Sequence, residues 1–297
     1  MKIALVTARA ARGLDEDEPP LRLALQAAGC EAEAAEWDDV RVDWSSFDLA
    51  LLRSAWDYAE RLSEFLAWVQ SASTLTHVLN PLPVVRWNTD KHYLAQLSKA
   101  GVATVPSTFM EPGEAAGRAV EQFLRVHANA QIVVKPAVGA GSRDTQRHRR
   151  VEAGAAVAHA QRLLDANRSV LLQPYLNRVD DDGETALMYF EGRFSHAVRK
   201  GPLLPPGGDA TTTLFAAETI TPRTPGADEL RLADQVMSAI PFDTPLYGRI
   251  DLLRDDDGTP CLLELELTEP SLFFGHAADS AERFAAAILR WHARLAK

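Results

Sequence analysis

Cysteine is nearly absent: the 297 residues hold two, Cys30 and Cys261, with no CxxC or Cys/His spacing around either. That excludes a disulfide framework and a thiolate metal site, and it fits reduced, buried thiols in a cytoplasmic protein. Runs of basic residues are also missing, and the formal net charge is −10. Nucleic acids select for concentrated positive charge, so a DNA- or RNA-binding role is excluded, whereas a single nucleotide can be held by a few placed cations. No apolar stretch approaches the roughly 20 residues of a membrane span. Met1 leads straight into Lys2-Ile3-Ala4-Leu5-Val6 without the basic-then-apolar order of a signal peptide. A cytoplasmic protein without membrane contact is the expectation.

What is present suits a soluble globular protein, with 46% hydrophobic and 24% charged residues. The length implies two or three compact units at roughly 100–200 residues each. Residues 1–87 alternate short apolar runs with helical patterns: strands at Ile3–Thr7, Phe47–Leu52 and Val78–Asn80, helices near Leu21–Ala28 and Glu60–Ala72. Alternation of that kind favours a parallel sheet with helices on both faces. Residues 88–176 read as a second α/β set, with a helix from Thr89-Asp90 to Gly101 and an extended start at Pro106–Phe109. Helices then fit Gly113–His127 and Ala153–Ala166, and strands Gln131–Lys135 and Val170–Gln173. Residues 177–297 change character. Glu184–Phe190 and Arg193–Arg199 flank the turn Glu191-Gly192, and Tyr247–Arg254 and Cys261–Leu267 flank Asp255–Gly258, so two antiparallel hairpins are expected. Gly201–Thr213 has loop composition, and helices fit Asp228–Ala239 and Ser280–Leu295.

The acidic hairpin carries the strongest chemical signal. Glu264 and Glu266 are two apart on one strand, and Arg249 and Asp251 are two apart on the other, so each pair shares a face. Unpaired charge is costly in a core, but carboxylate oxygens are what magnesium prefers. A solvated sheet edge of alternating charge is the competing reading; Leu262, Leu263, Leu265 and Leu267 weaken it by marking a buried face. A second signal is VVKPAVGAGSRDT, Val133–Thr145. Here Gly139, Gly141 and Ser142 let backbone N–H groups approach phosphate, and Lys135 adds a cation. The order GxxxxGK[ST] is missing, as is GxGxxG, so neither a P-loop nor a dinucleotide fingerprint is present. An ordinary strand-to-helix turn remains the alternative. Gln173-Pro174-Tyr175-Leu176 ends an apolar strand in a stiff link that suits a hinge, or simply a strand end. Lys91 and Arg199-Lys200 are weak individually.

Taken in order, these features resemble the ATP-grasp superfamily from about Asn88 to Pro270. The resemblance implies an α/β and α+β architecture, in which two α+β subdomains grip ATP behind an N-terminal Rossmann-like domain. It implies domains at 1–87, 88–176 and 177–297. Lys91 and Lys135 would bind phosphates, with Gly139, Gly141 and Ser142 closing over them. Gln173, Pro174, Tyr175 and Leu176 would contact adenine, and Asp180 or Asp181 the ribose. Asp251, Glu264 and Glu266 would hold magnesium, with manganese as a substitute. Arg249, Lys91 and Arg199 would be the catalytic cations. The family often has Glu at the position of Gln173 and Asn at that of Glu266.

The strings LLRSAWDY (51–58), YFEGRFSHAVRKGP (189–202) and LLELELTEPSLFF (262–274) look like a subgroup that includes O-ureido-D-serine cyclo-ligases of D-cycloserine biosynthesis. That likeness implies a small amino-acid-like substrate, cyclised after ATP-dependent activation of its carboxylate. Arg53, Ser54, Trp56, Asp57 and Tyr58 follow a strand end where open parallel sheets place ligands. Glu184, His196, Arg199 and Glu269 complete the substrate candidates, although His196 is better explained as a hydrogen-bonded strand residue. An intermolecular carboxylate–amine ligase and a non-catalytic ATP sensor are the alternatives. A two-fold homodimer is the default assembly.

Overall fold

Alternate residues of the first strand, β1 (Lys2–Thr7), enter opposite cores: Ile3 and Leu5 on one side, Ala4 and Val6 on the other. A strand buried on both faces belongs in a parallel sheet covered by helices. The computed structural model, which describes residues 1–204, 214 and 219–295, supplies that sheet. Between β1 and its neighbours come α1 (Glu18–Ala27), β2 (Glu31–Glu36), β3 (Leu49–Ser54), α2 (Leu62–Ala72) and β4 (His77–Leu79). The order is β2-β1-β3-β4, all parallel. β2 is Glu-Ala-Glu-Ala-Ala-Glu, poor strand composition that pairing along β1 overrides.

Two short helices follow, α3 (Leu82–Asn88) and α4 (Tyr93–Lys99). The helix expected from Thr89 to Gly101 therefore starts later. Lys91 lies in the intervening turn, its backbone N–H donating to Ala137 O at 2.9 Å. Next come β5 (Thr108–Met110), α5 (Ala116–Val126), β6 (Gln131–Pro136), β7 (Gln146–Arg149), α6 (Ala153–Asp165) and β8 (Val170–Pro174). The sheet order is β5-β8-β6-β7, antiparallel throughout. α5 and α6 cover it through Val120, Phe123, Ala160 and Leu163.

The last sheet runs β11-β10-β9-β12-β13, again antiparallel. After the single turn α7 (Val179–Asp182), its members are β9 (Glu184–Phe190), β10 (Arg193–Lys200) and β11 (Ile220–Arg223). α8 (Ala227–Ala239), β12 (Tyr247–Arg254), β13 (Pro260–Glu266) and α9 (Ser280–Leu295) complete the chain. α9 returns to pack beside α1, with Phe284 and Ile288 in the same core as Leu21 and Leu25. Most of the loop expected at Gly201–Thr213 lies outside the described residues. No helix among the described residues is long and apolar enough to cross a membrane.

Buried amides fasten the N-terminal sheet to the last one. Asn80 Nδ2 donates to Tyr247 O and Leu267 O, and its Oδ1 accepts from Leu246 N. Asn88 does the same for Leu265 O and Leu267 N. Stranding one such buried partner costs about 1–3 kcal/mol.

Candidate active site

A cleft of about 640 Å³ opens where the three sheets meet. Its floor is the β12–β13 pair. Arg249 stands opposite Glu266 and Asp251 opposite Glu264, so the predicted face is realised. A register shift after Asp251 follows, leaving Leu263 unpaired, so that it lines the cleft beside Glu264 while packing partly against the core.

Cations from other elements converge on these carboxylates. Lys91 Nζ is 2.9 Å from Glu264 Oε1 and donates to Gly139 O at 2.9 Å. Arg249 Nη2 donates to Asp251 Oδ2 at 2.8 Å and to Glu266 at 2.5 Å. Lys200 Nζ lies 2.6 Å from Glu184 and 3.4 Å from Asp251. The Lys135 side chain, in a residue 7% exposed, makes no hydrogen bond among the described residues. Burial pushes its ammonium down to about 8, with Glu264 offsetting part of the shift.

Burial raises each carboxyl, and its neighbours then decide the outcome. Glu264 ends below the usual range because Lys91 and Lys135 outweigh burial. Asp251 is held low by Arg249 and Lys200. Glu266 is pushed up to about 7 by burial and by Asp251 and Glu264, and Glu269 to about 8 by burial and by Glu266. Negative charge is thus in local surplus, and every donor is a hard oxygen.

The glycine loop forms a hairpin between β6 and β7, not a strand-to-helix turn. Gly141 adopts φ 61°, the left-handed region that suits glycine. Gly139, Gly141 and Ser142 line the cleft, as do Gln173, Pro174, Tyr175 and Leu176 opposite. Gln173 Nε2 donates to Ser107 Oγ at 3.0 Å, which leaves its Oε1 as an acceptor.

Comparison with known proteins narrows what such a cleft belongs to. The family model of the D-cycloserine synthetase DcsG N-terminal domain matches residues 3–80. Cycloserine biosynthesis protein DcsG of Streptomyces lavendulae is 42% identical over 292 residues, 96% of this chain and 97% of that one. The crystal structure of D-cycloserine synthetase DcsG superposes with a TM-score of 0.92 at 40% identity, covering 98% of this chain and all of that one. The chain belongs to the DcsG family. A more distant likeness in fold alone is the ATP-grasp ligase PsnB, whose structure contains Mg and ADP. Its TM-score is 0.66 at 18% identity, with 98% of each chain covered.

In this DcsG-family chain several expected residues lie elsewhere. Arg199 turns away from the cleft, donating to Asp182 O and Asp181 O, each at 2.9 Å. Its neighbour Lys200, on the opposite face of β10, is the one on the cleft wall. A register shift between Phe194 and His196 is the reason, since regular pairing from the turn would set Glu184 opposite Arg199 and the shift sets it opposite Lys200. His196 Nε2 bonds Leu272 O at 2.8 Å and is off the cleft wall, a structural histidine. Asp180 is engaged by Arg147 and by Tyr175 Oη, and neither it nor Asp181 reaches the wall.

Among the substrate candidates, Trp56, Tyr58, Glu184 and Glu269 line the cleft. Arg53 is 1% exposed, donates to Pro270 O and sits between Asp15 and Asp17. Ser54 donates to Thr7, and Asp57 accepts from Trp37 and Arg61. All three are scaffold, because strand-end residues there are consumed by long-range partners. Sequence reasoning also missed the Leu14–Asp17 wall. Asp17 accepts from the backbone N of Leu272, Phe273 and Phe274, a pairing across the whole chain that no local pattern announces.

The expected metal ligands share one wall as ion-paired carboxylates. Among the described residues, no three His, Cys, Asp or Glu side chains are gathered as one metal-holding cluster. The all-oxygen donor set of Asp251, Glu264 and Glu266, with Glu266 pushed up to about 7 by burial and its acidic neighbours, nevertheless suits a hard divalent cation.

Proposed function

We propose that this ligase uses ATP to phosphorylate the carboxylate of O-ureido-D-serine and closes the product to D-cycloserine. The observation that carries the reading is the pairing of a cleft where the buried cations Lys91, Lys135, Lys200 and Arg249 meet a wall of carboxylates with whole-chain likeness to D-cycloserine synthetase. A carboxylate is a poor electrophile; as an acyl phosphate it reacts with a nitrogen of the same molecule. The ring-forming N–O nitrogen attacks the acyl carbon, phosphate departs, and the carbamoyl group leaves with water as carbon dioxide and ammonia.

The chain's own contribution is positioning and charge neutralisation. Lys91, Lys135 and the Gly139–Ser142 backbone hold the phosphates. Gln173 Oε1 accepts from the adenine amine within the Pro174–Leu176 wall. Lys200 and Arg249 offset the negative charge that develops on phosphoryl transfer. Asp251, Glu264 and Glu266 would hold magnesium or manganese, which lowers the charge repulsion between the phosphates and the attacking carboxylate. The cleft excludes water from the acyl phosphate. A cytoplasmic homodimer acting on this small molecule completes the reading, two-fold dimers being the commonest assembly.

The test is ATP- and magnesium-dependent phosphate release with O-ureido-D-serine, together with mass detection of D-cycloserine. Both products are expected, and both should vanish in Glu264→Ala. Turnover only when a separate amine is supplied would replace ring closure by intermolecular ligation. Silence with every acid would leave nucleotide binding alone.

A further inference from the structure

Glu269 follows the end of β13 by three residues and lines the cleft, yet it is 6% exposed. Its carboxylate makes no hydrogen bond or ion pair among the described residues; only its backbone oxygen is used, accepting from Trp56 Nε1 at 3.3 Å. A buried carboxylate without a partner is costly, and Glu266 nearby adds repulsion. Such a group sits in deficit of one positive charge.

The surroundings say what kind of cation fits. Trp56, whose indole N–H reaches the Glu269 backbone, lines the same cleft as Tyr58 and Phe273 and supplies aromatic faces beside the carboxylates. Bare divalent metals need several oxygens, whereas an ammonium on a carbon skeleton accepts one carboxylate and aromatic faces. The segment carrying Glu269 also wraps Arg249, which donates to Ser271 O at 3.2 Å and lies 5.6 Å from the Phe273 ring centroid. A cation for a carboxylate and a carboxylate for a cation therefore occupy one short stretch of wall, as an α-amino acid requires.

We infer that Glu269 receives the α-ammonium of the substrate while Arg249 faces its carboxylate, fixing which end meets ATP. This deepens the ligase reading above and rests on its assignment of the phosphate end.

The experiment compares O-ureido-D-serine with its deaminated counterpart, 3-(ureidooxy)propionate. Serine and alanine are compared likewise with hydroxyl-bearing and plain propionates. Binding to the full chain is measured calorimetrically with magnesium and a non-hydrolysable ATP analogue, for wild type and Glu269→Gln. Wild type should prefer the amines by about 10- to 100-fold, and the variant should lose that preference by weakening only the amines. The variant's KM should rise by a similar factor with kcat nearly unchanged and nucleotide affinity retained. Equal binding of amine and deaminated forms by wild type, no binding of either, or equal weakening of both in the variant overturns the assignment. Cycloserine formed by the variant with unaltered KM keeps ring closure and removes Glu269's role. An amine preference lost in the variant, with no cycloserine formed by wild type, does the reverse.

Discussion

Lys91 Nζ lies 2.9 Å from Glu264 Oε1, an ion pair joining the turn before α4 to β13 across the cleft floor. Under the proposed function both partners are wanted by other chemistry, Lys91 by the phosphates and Glu264 by the metal. Burial alone would lower the Lys91 pKa, but Glu264 more than reverses that, so the lysine stays charged.

Removing one partner strands the other. Lys91→Met and Glu264→Gln should each lower ligand-free stability by about 1–3 kcal/mol in urea unfolding, Glu264 being partly exposed. The double variant should lose less than the sum, since it strands neither charge. Under the proposed function each side chain also serves the reacting phosphates, so activity should fall at least about 100-fold in every case. Additive stability losses would show that the pair is not coupled.

Adjacent residues on β10 separate binding from architecture. Lys200 reaches Glu184 and Asp251 inside the cleft, while Arg199 holds the carbonyls that end α7. Lys200→Met should reduce kcat/KM by about 100-fold or more. Arg199→Met should cost about 1–2 kcal/mol of stability and leave kcat/KM within a few-fold. Steady-state kinetics beside thermal unfolding distinguishes the two.

Arg143, in the glycine loop, is ion-paired with Glu60 beyond β3. The pair ties the β6–β7 loop to the N-terminal unit across the cleft edge. Glu60 is largely exposed, so the interaction is worth at most about 1 kcal/mol. Glu60→Gln should therefore weaken ATP binding by about two- to five-fold, and the difference should fade at high salt. A salt-independent loss would assign the effect to packing.

These contrasts show what the sequence makes legible. Glu264 and Glu266 were readable because a strand's two-residue period places them on one face opposite Arg249 and Asp251, and the antiparallel register obeys that rule. The same period misled for Arg199, because a register shift between Phe194 and His196 moves the partner of Glu184 on to Lys200. β2 was invisible because its Ala and Glu residues form a strand only through pairing with β1. β7 was hidden by the turn composition of the glycine loop before it. Arg53 and Asp57 sit where a ligand-binding strand end should be, yet partners more than 15 residues away claim them. Such long-range claims leave no local trace.

Two buried histidines give the fold a pH dependence of known sign. His196 and His159 are each pushed down to about 4, chiefly by burial. Both stay neutral in the folded chain at pH 6, where the unfolded chain, titrating near 6.5, binds protons more readily. Their stabilisation is full above about pH 6.5 and is lost as pH falls toward 4, by up to about 2–3 kcal/mol each. Glu266 and Glu269, raised to about 7 and about 8, act in the opposite sense: charging them costs stability as pH climbs from 4.5. The whole-protein profile mixes these trends, so a difference measurement is needed. His196→Gln places an amide donor near the Nε2 position, keeping a donor for Leu272 O, but cannot titrate. Urea midpoints at pH 7.5, 6 and 5 should therefore show the wild-type advantage over the variant shrinking as pH falls. A constant difference would mean that His196 keeps its ordinary pKa in the fold.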